Sequence, residues 1–518
     1  MNEALTVSRN DRLPSLSWLL QLGGDGAHLT CGQGVETTGS SFFEGAWAGP
    51  FQPGAFHDCA NVFGSGAICS DGRWILVPPS HTLEAIYILQ VPEGGWSASN
   101  SLAFLAAAAG LDLQFQFPTT VTDFIAIVQG IKDTPRRIRN AHPALYTLHY
   151  HNVVLSRQLE VKPKRQRKPF QQYEEYRDYL ADVLAATAEN AAHAGRRACY
   201  QLLATVSSGY DSPACAAIAR AAGCTEGVTF LQSREGVDDD GSAIGASLGL
   251  RMSGIQHPVF STGPANDRSV AAEFFATGMQ GEDITYAAFG GMLRHRALVT
   301  GVLGDKLWNL HGSPDANLKR ADVAGTSLTE FRLREDFLHL PLPFVGACHH
   351  PSIHAISNSA EMRSYVVGGT YDRPIPRRIA EEAGVARNLF GQRKKAVTIH
   401  VFRNRALMPD VIRTAAKTRL RRQGITAKIR YLFASAWYFA GMHIFTRRPY
   451  SRIARHMPAA LARIYSRVRY ETITLIWPQP FGILEHMDPL TGYATEAALD
   501  IVAERYKDFR IQDPGRRP

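Results

Sequence analysis

The chain has 518 residues, 45% of them hydrophobic and 20% charged, with a formal net charge of +9. That length exceeds one ordinary core and calls for two or three domains, and the composition excludes collagen-like, disordered and disulfide-scaffold classes. Seven cysteines fall at 31, 59, 69, 199, 215, 224 and 348 with no C-x-x-C pair, which fits a reducing cytoplasm. The start, MNEALTVSRNDRLPS, has no basic-then-apolar leader pattern.

Residues 1–165 read as β-rich. FHDCANVFGSGAIC, GRWILVPP and ALYTLHYHNVVLS are short apolar or alternating runs between Gly, Pro and Asn, and SNSLAFLAAAAG reads as one helix among them. VKPKRQRKPF, 161–170, is basic with two prolines and reads as a linker. A long helix follows, with Tyr173, Tyr176, Leu180, Val183, Leu184 and Ala188 on one face.

From about 200 to 310, strand-like and helix-like runs alternate. LLATV, GVTFLQ and ALVTGVLGD are the strand candidates, and DDDGSAIGASLGL reads as an acid-capped helix. The alternation predicts βα units and a parallel sheet, with ligands at the C-terminal strand ends. The first strand runs into SSGYDS, Ser207 to Ser212, and then into ACAAIARAAG. Small and hydroxyl residues at a helix N-terminus let an anion approach the backbone N–H groups. Ser212 reads as the helix cap, with Pro213 at the first helical position and Gly223 as the stop.

Past 400 the pattern is helical. Residues 401–470 hold 16 Lys+Arg and one acid, Asp410, a net +15 that leaves −6 for the rest of the chain. This asymmetry points to an anionic partner for the C-terminal part, the alternative being a solvated helical surface. YLFASAWYFAGMHIF, 431–445, is apolar, flanked by Arg430, Arg447 and Arg448, and shorter than the about 20 residues of a bilayer span. It reads first as a buried core helix and second as a helix lying on a membrane surface. His350 and His354 are four apart but lack a nearby acidic ligand, so a metal there is disfavoured. No Walker or dinucleotide-binding glycine pattern is present.

SSGYDS resembles the S-G-G-x-D-S pyrophosphate loop of the asparagine synthetase-like, N-type ATP pyrophosphatases. Ser207, Gly209, Asp211 and Ser212 match, and Ser208 replaces a glycine. TGVLGDKLW, 300–308, resembles that family's S-G-E-G-x-D-E segment, with Gly301 and Asp305 aligned, Val302 at the first acid and Lys306 at the last. FGQRKKA, 390–396, supplies a lysine pair where the family carries a basic residue near the phosphates. The likeness covers about 165–400.

The resemblance implies an α/β fold: a parallel-sheet ATP pyrophosphatase domain over 166–400. A β-rich, Ntn-hydrolase-like, degenerate glutamine amidotransferase domain would precede it over 1–165. A helical, basic region would follow over 401–518. It also implies an acyl-adenylate mechanism with ATP and Mg²⁺. Ser207, Ser208, Gly209, Tyr210, Asp211, Ser212 and Gly301 would hold the nucleotide, Asp211 and Asp305 the metal, and Lys394 and Lys395 the reacting phosphates. The end of the second strand, Phe230 to Gln232, would lie near the adenine. The family's glutaminase nucleophile is a cysteine exposed by removal of Met1, but position 2 is Asn2 and the first cysteine is Cys31. The expected activity is therefore a glutamine-independent, ATP-dependent amide-forming ligase acting on a small or carrier-bound carboxylate. The competing expectation is a catalytically silent ATP or AMP binder that docks an anionic partner. No specific nucleic-acid binding is expected.

Overall fold

The computed structural model describes residues 5–509, apart from 25, 92–94, 116–122, 139–141, 143, 257–266, 278–280, 321–322, 370, 392–393, 400, 402–404, 445–456, 459, 462–463 and 465–487, and omits the side chains of 126 and 437–444. Asn2 therefore lies outside the described residues.

Strands within residues 5–162 form two sheets. One is ordered 5–9, 26–31, 18–23, 96–99, 86–90, 145–148, 136–137; the other 159–162, 152–155, 73–77, 62–70, 41–47, 36–37. Pairing is antiparallel except between the strands Leu5–Arg9 and Gly26–Cys31. Period-two alternation decides the layers. Leu20, Ile88, Phe42, Leu76 and Val153 fill the space between the sheets. Their neighbours Leu19, Tyr87 and Leu89 face the opposite way, into a core shared with the helix Leu102–Ala109. On the second sheet, Phe43, Ile75, Val77 and Val154 form a separate outer cluster. The helix Tyr173–Ala191 packs against the strand Ser41–Trp47. The region is thus two stacked sheets with helices outside them.

The predicted parallel sheet is present, with five strands where three were expected. Its order is Arg251–Ile255, Glu226–Phe230, Gln201–Thr205, Arg296–Thr300, Leu338–Pro341, all parallel. The chain steps outward one way from the strand Gln201–Thr205, then returns to its other side. That reversal opens a crevice at the C-terminal ends of the strands Gln201–Thr205 and Arg296–Thr300.

Charged residues lock this sheet to the N-terminal ones. Arg332 is fully buried and reaches Glu44 at 2.9 Å and Glu84 at 2.7 Å. Ser101 Oγ, which caps the helix Leu102–Ala109, donates to buried Glu330 at 2.7 Å. The helices Asp410–Arg422 and Leu490–Ala503 pack together and against the helices Arg268–Glu273 and Leu102–Ala109, in one core with residues of the parallel sheet.

Two expectations are corrected. The stretch 161–170 is not a loose linker. Residues through Lys162 belong to a strand, Lys164 is buried with its Nζ donating to Pro78 O at 2.6 Å, and Phe170 is in the core. The basic composition hid these two anchors. The segment beginning at 431 is not a buried core helix over its described side chains. It is the second half of a helix, Gly424–Ile444, and Leu432 and Phe433 are exposed. The tertiary contacts cover its other face. All seven cysteines are free thiols. Among the described residues, no helix is long and apolar enough to cross a membrane.

Candidate functional site

The crevice is a cavity of about 340 Å³. Ser207, Gly209, Tyr210, Asp211 and Ser212 line it from the first strand-to-helix turn, Gly301 and Asp305 from the fourth, and Lys394 and Lys395 from a segment about 90 residues further on. These were the sequence-predicted residues; of that set only Ser208 is not in the lining. Phe230 lines the cavity, whereas Leu231 and Gln232 do not.

The turn itself is built from hydroxyls. Ser207 N donates to Ser212 Oγ at 2.9 Å, and the two serine hydroxyls are 2.8 Å apart. The helix runs Asp211–Ala221, so Ser212 is inside its first turn and not its cap. The Ser212 hydroxyl closes the loop in place of capping. Pro213 is the third helical residue, still within the turn whose N–H groups have no intrahelical acceptor. Gly223 takes the expected left-handed conformation, φ 93°.

Tyr210 anchors the loop from below. Its ring is fully buried, its hydroxyl accepts from Arg377 Nη2 at 2.6 Å, and it packs on Tyr371 at 4.8 Å. Ser208 supports the loop from the side. Its N and Oγ both donate to Asp239 Oδ1, at 3.2 and 2.7 Å, and Lys395 Nζ donates to its Oγ at 2.7 Å. Burial raises the Asp239 carboxyl, and the Ser208 hydrogen bonds oppose that rise. Lys395 is thus tied into the loop, whereas Lys394 is exposed and lies 3.5 Å from Asp305.

Asp211 is the most constrained group. One oxygen is in an ion pair with Arg373, whose side chain is 6% exposed. The other oxygen, Oδ1, is buried with no hydrogen bond to a described residue. Burial pushes the Asp211 carboxyl up, Arg373 pulls it down, and Asp305 pushes it up again. A Cβ on Gly301 would come within 2.9 Å of the Asp211 backbone carbon and Cβ, and one on Gly304 within 2.6 Å of its carboxyl carbon. The glycines of the fourth turn are there because that turn wraps around Asp211.

Lys306 turns away from the adjacent Asp305, and its Nζ donates to Ser313 O at 3.2 Å. The short helix Gly304–Leu307 turns the two side chains apart. Residues not named as site residues from the sequence complete the lining: Arg373, Asp239, Arg320 and Arg234, and Tyr286 and Phe289, which join the expected Phe230 in an aromatic group. Phe230 and Phe289 rings are 4.6 Å apart. Arg373 lies in the arginine-rich run YDRPIPRR, and Asp239 in the acidic run DDDG.

A divalent cation is compatible with this donor set. Asp211 Oδ1 is an unused buried oxygen, and Asp305 is the second carboxylate. Mg²⁺ is commonly held by one or two carboxylates plus substrate phosphates and water. No group of three or more His, Cys, Asp or Glu suited to a metal occurs among the described residues. At the disfavoured histidine pair, His350 Nδ1 accepts from Asp315 N at 3.0 Å.

No family model matches the chain, and no curated protein matches it.

Proposed function

We propose that the chain is an ATP-dependent amide-forming ligase that activates a carboxylate as its adenylate and takes its amine from a source other than glutamine. The observation that carries this reading is the convergence of Ser207, Asp211, Gly301, Asp305, Lys394 and Lys395 on one cavity at the sheet's reversal point. Three separate stretches, each resembling one part of an N-type ATP pyrophosphatase site, meet there.

The aromatic end, with Phe230, Tyr286 and Phe289, suits a purine ring. The 207–212 turn and the start of the helix Asp211–Ala221 suit the pyrophosphate. Lys394, Lys395 and Arg373 supply positive charge where it develops on the leaving group. Asp211 and Asp305 would hold Mg²⁺, whose chemistry is to neutralise phosphate charge. A substrate carboxylate oxygen attacks the α-phosphorus, and the α–β phosphoanhydride bond breaks to release pyrophosphate. An amine then attacks the acyl carbon, the C–O bond to AMP breaks, and the amine gives up a proton. Arg320 and Lys306, beside Val302 and Ala324, offer the charge to hold a carboxylate acceptor.

The N-terminal region supports the glutamine-independent part. Its two stacked sheets with outer helices suit a degenerate glutaminase-like layer. Cys31 is fully buried, and burial pushes its thiol up, away from the reactive thiolate.

One observation favours the silent reading. Both metal-candidate carboxylates already face protein cations, Asp211 with Arg373 and Asp305 with Lys394. The deciding experiment is carboxylate-dependent exchange of labelled pyrophosphate into ATP, alongside calorimetric ATP binding with Mg²⁺. Exchange that Asp211→Ala abolishes supports the ligase. Binding without exchange across a carboxylate panel supports the silent binder, and no binding by folded protein rejects both.

A further inference from the structure

The helix Gly424–Ile444 presents two unlike faces. Ile425, Ile429, Leu432 and Phe433 are 71, 47, 64 and 74% exposed. Their spacing of 4, 7 and 8 residues from Ile425 places them on one helical stripe. The opposite face is the one that docks on the protein. Tyr431 packs on Tyr493 of the helix Leu490–Ala503 at 6.0 Å, and Tyr493 Oη donates to Ala427 O at 3.4 Å. The helix is therefore held with its apolar stripe turned outward.

Charge surrounds the stripe. Lys428 and Arg430 flank it on its two sides, and Arg421 and Arg422 stand at the end of the preceding helix, across the turn at Gly424, φ 84°. All four are exposed and form no ion pair with a described residue. Arg405 and Arg419, by contrast, are internally neutralised. Arg405 pairs with Asp488 at 2.5 Å, and Arg419 contacts Asp112, Glu496 and Asp500. Of the described cations of this region, Arg405 and Arg419 hold the fold, while Lys428 and Arg430 flank an outward apolar strip that Arg421 and Arg422 precede in the chain.

We propose that this face docks the protein on an anionic lipid surface, with Ile425, Ile429, Leu432 and Phe433 entering the interface and the four cations meeting lipid phosphates. The chemistry selects this occupant. A bilayer surface offers a broad apolar layer beneath a sheet of negative charge, and long basic side chains beside an apolar stripe reach back to it. A second copy of the same face would set these cations against one another. The inference stands apart from the ligase reading, because none of these residues lines the nucleotide cavity.

The test is flotation of the full chain with phosphatidylglycerol–phosphatidylcholine vesicles and with pure phosphatidylcholine vesicles. Binding to the anionic vesicles alone, weakened by salt, is expected. Leu432→Glu with Phe433→Glu should reduce it about tenfold or more, and Lys428→Gln with Arg430→Gln by about tenfold. Circular dichroism should be unchanged, since the replaced side chains are exposed. Equal binding to both vesicle types, no binding, or binding unaffected by either pair of substitutions overturns the proposal. So does a concentration-dependent dimer in sedimentation velocity that the apolar pair of substitutions abolishes, because the stripe is then covered by a second copy.

Discussion

The carboxylate of Asp211 and the guanidinium of Arg373, 162 positions apart in the chain, form a partly buried ion pair in the lining of the crevice at the sheet's reversal point. The pair leaves Asp211 Oδ1 without a partner among the described residues and puts a cation beside the 207–212 turn. Arg373→Ala leaves the partly buried Asp211 carboxylate without its cation. It should cost about 3 kcal/mol of stability in chemical denaturation. Calorimetry should also register weaker ATP binding. Arg373→Lys should recover part of both, because the charge returns but the planar fork does not. Unchanged ATP affinity in folded Arg373→Ala would separate the pair from nucleotide binding.

Gly301→Ala tests the wrapping of the fourth turn. The added methyl would lie 2.9 Å from Asp211 and Ser212 backbone atoms, which cannot move without shifting the first turn. A loss of roughly 1–3 kcal/mol is expected, together with reduced ATP affinity. A variant as stable as wild type would mean that the turn has slack.

The two lysines should behave differently. Lys394 is 62% exposed on its side chain, so Lys394→Ala should change stability by no more than about 0.5 kcal/mol. Pyrophosphate exchange should nevertheless fall by about 10²-fold. Lys395→Ala removes the donor to Ser208 and should lower both exchange and thermal stability. Identical profiles for the two variants would contradict the geometry.

Arg332 carries the buried contact between the N-terminal sheets and the parallel sheet. Arg332→Met would strand Glu44 and Glu84 in the core. A loss of about 3–5 kcal/mol is expected, and the two halves should become more susceptible to limited proteolysis at their junction.

Glu330 gives a pH dependence of defined sign. Burial raises its carboxyl from 4.5 to about 7, with the Ser101 hydrogen bond opposing the rise. A raised folded-state value means that the native protein binds the proton more tightly than the unfolded chain. Its contribution is present below about 4.5 and is lost as pH rises through about 7. Glu330→Gln should therefore be favoured over wild type more at about pH 8 than at about pH 5, by up to roughly 3 kcal/mol in urea titrations. An equal difference at both pH values would show that the carboxyl does not titrate in this window.

Local chemistry made part of this protein legible. The strand Gln201–Thr205, the hydroxyl-rich turn and the helix after it are written in adjacent residues, as are the apolar face of the helix Tyr173–Ala191 and the stop at Gly223. Each depends on periodicity or on backbone preferences within a few positions, and sequence carries that information directly. The same locality explains why the spacing of Gly301 and Asp305 could be matched to a turn before its partner was known.

What only the tertiary structure decided was which distant side chains meet. Arg373 beside Asp211, Asp239 beneath Ser208, and Arg332 between Glu44 and Glu84 join residues tens to hundreds of positions apart. Nothing in the local pattern distinguishes a buried arginine from a solvated one. Burial also reversed two readings. Lys164 and Phe170 turned a basic stretch into an anchored one, and the docking of Tyr431 on Tyr493 turned an apolar segment outward. Composition gives how apolar or charged a segment is. The face it shows to solvent is set by the partner it packs against, and that partner comes from elsewhere in the chain.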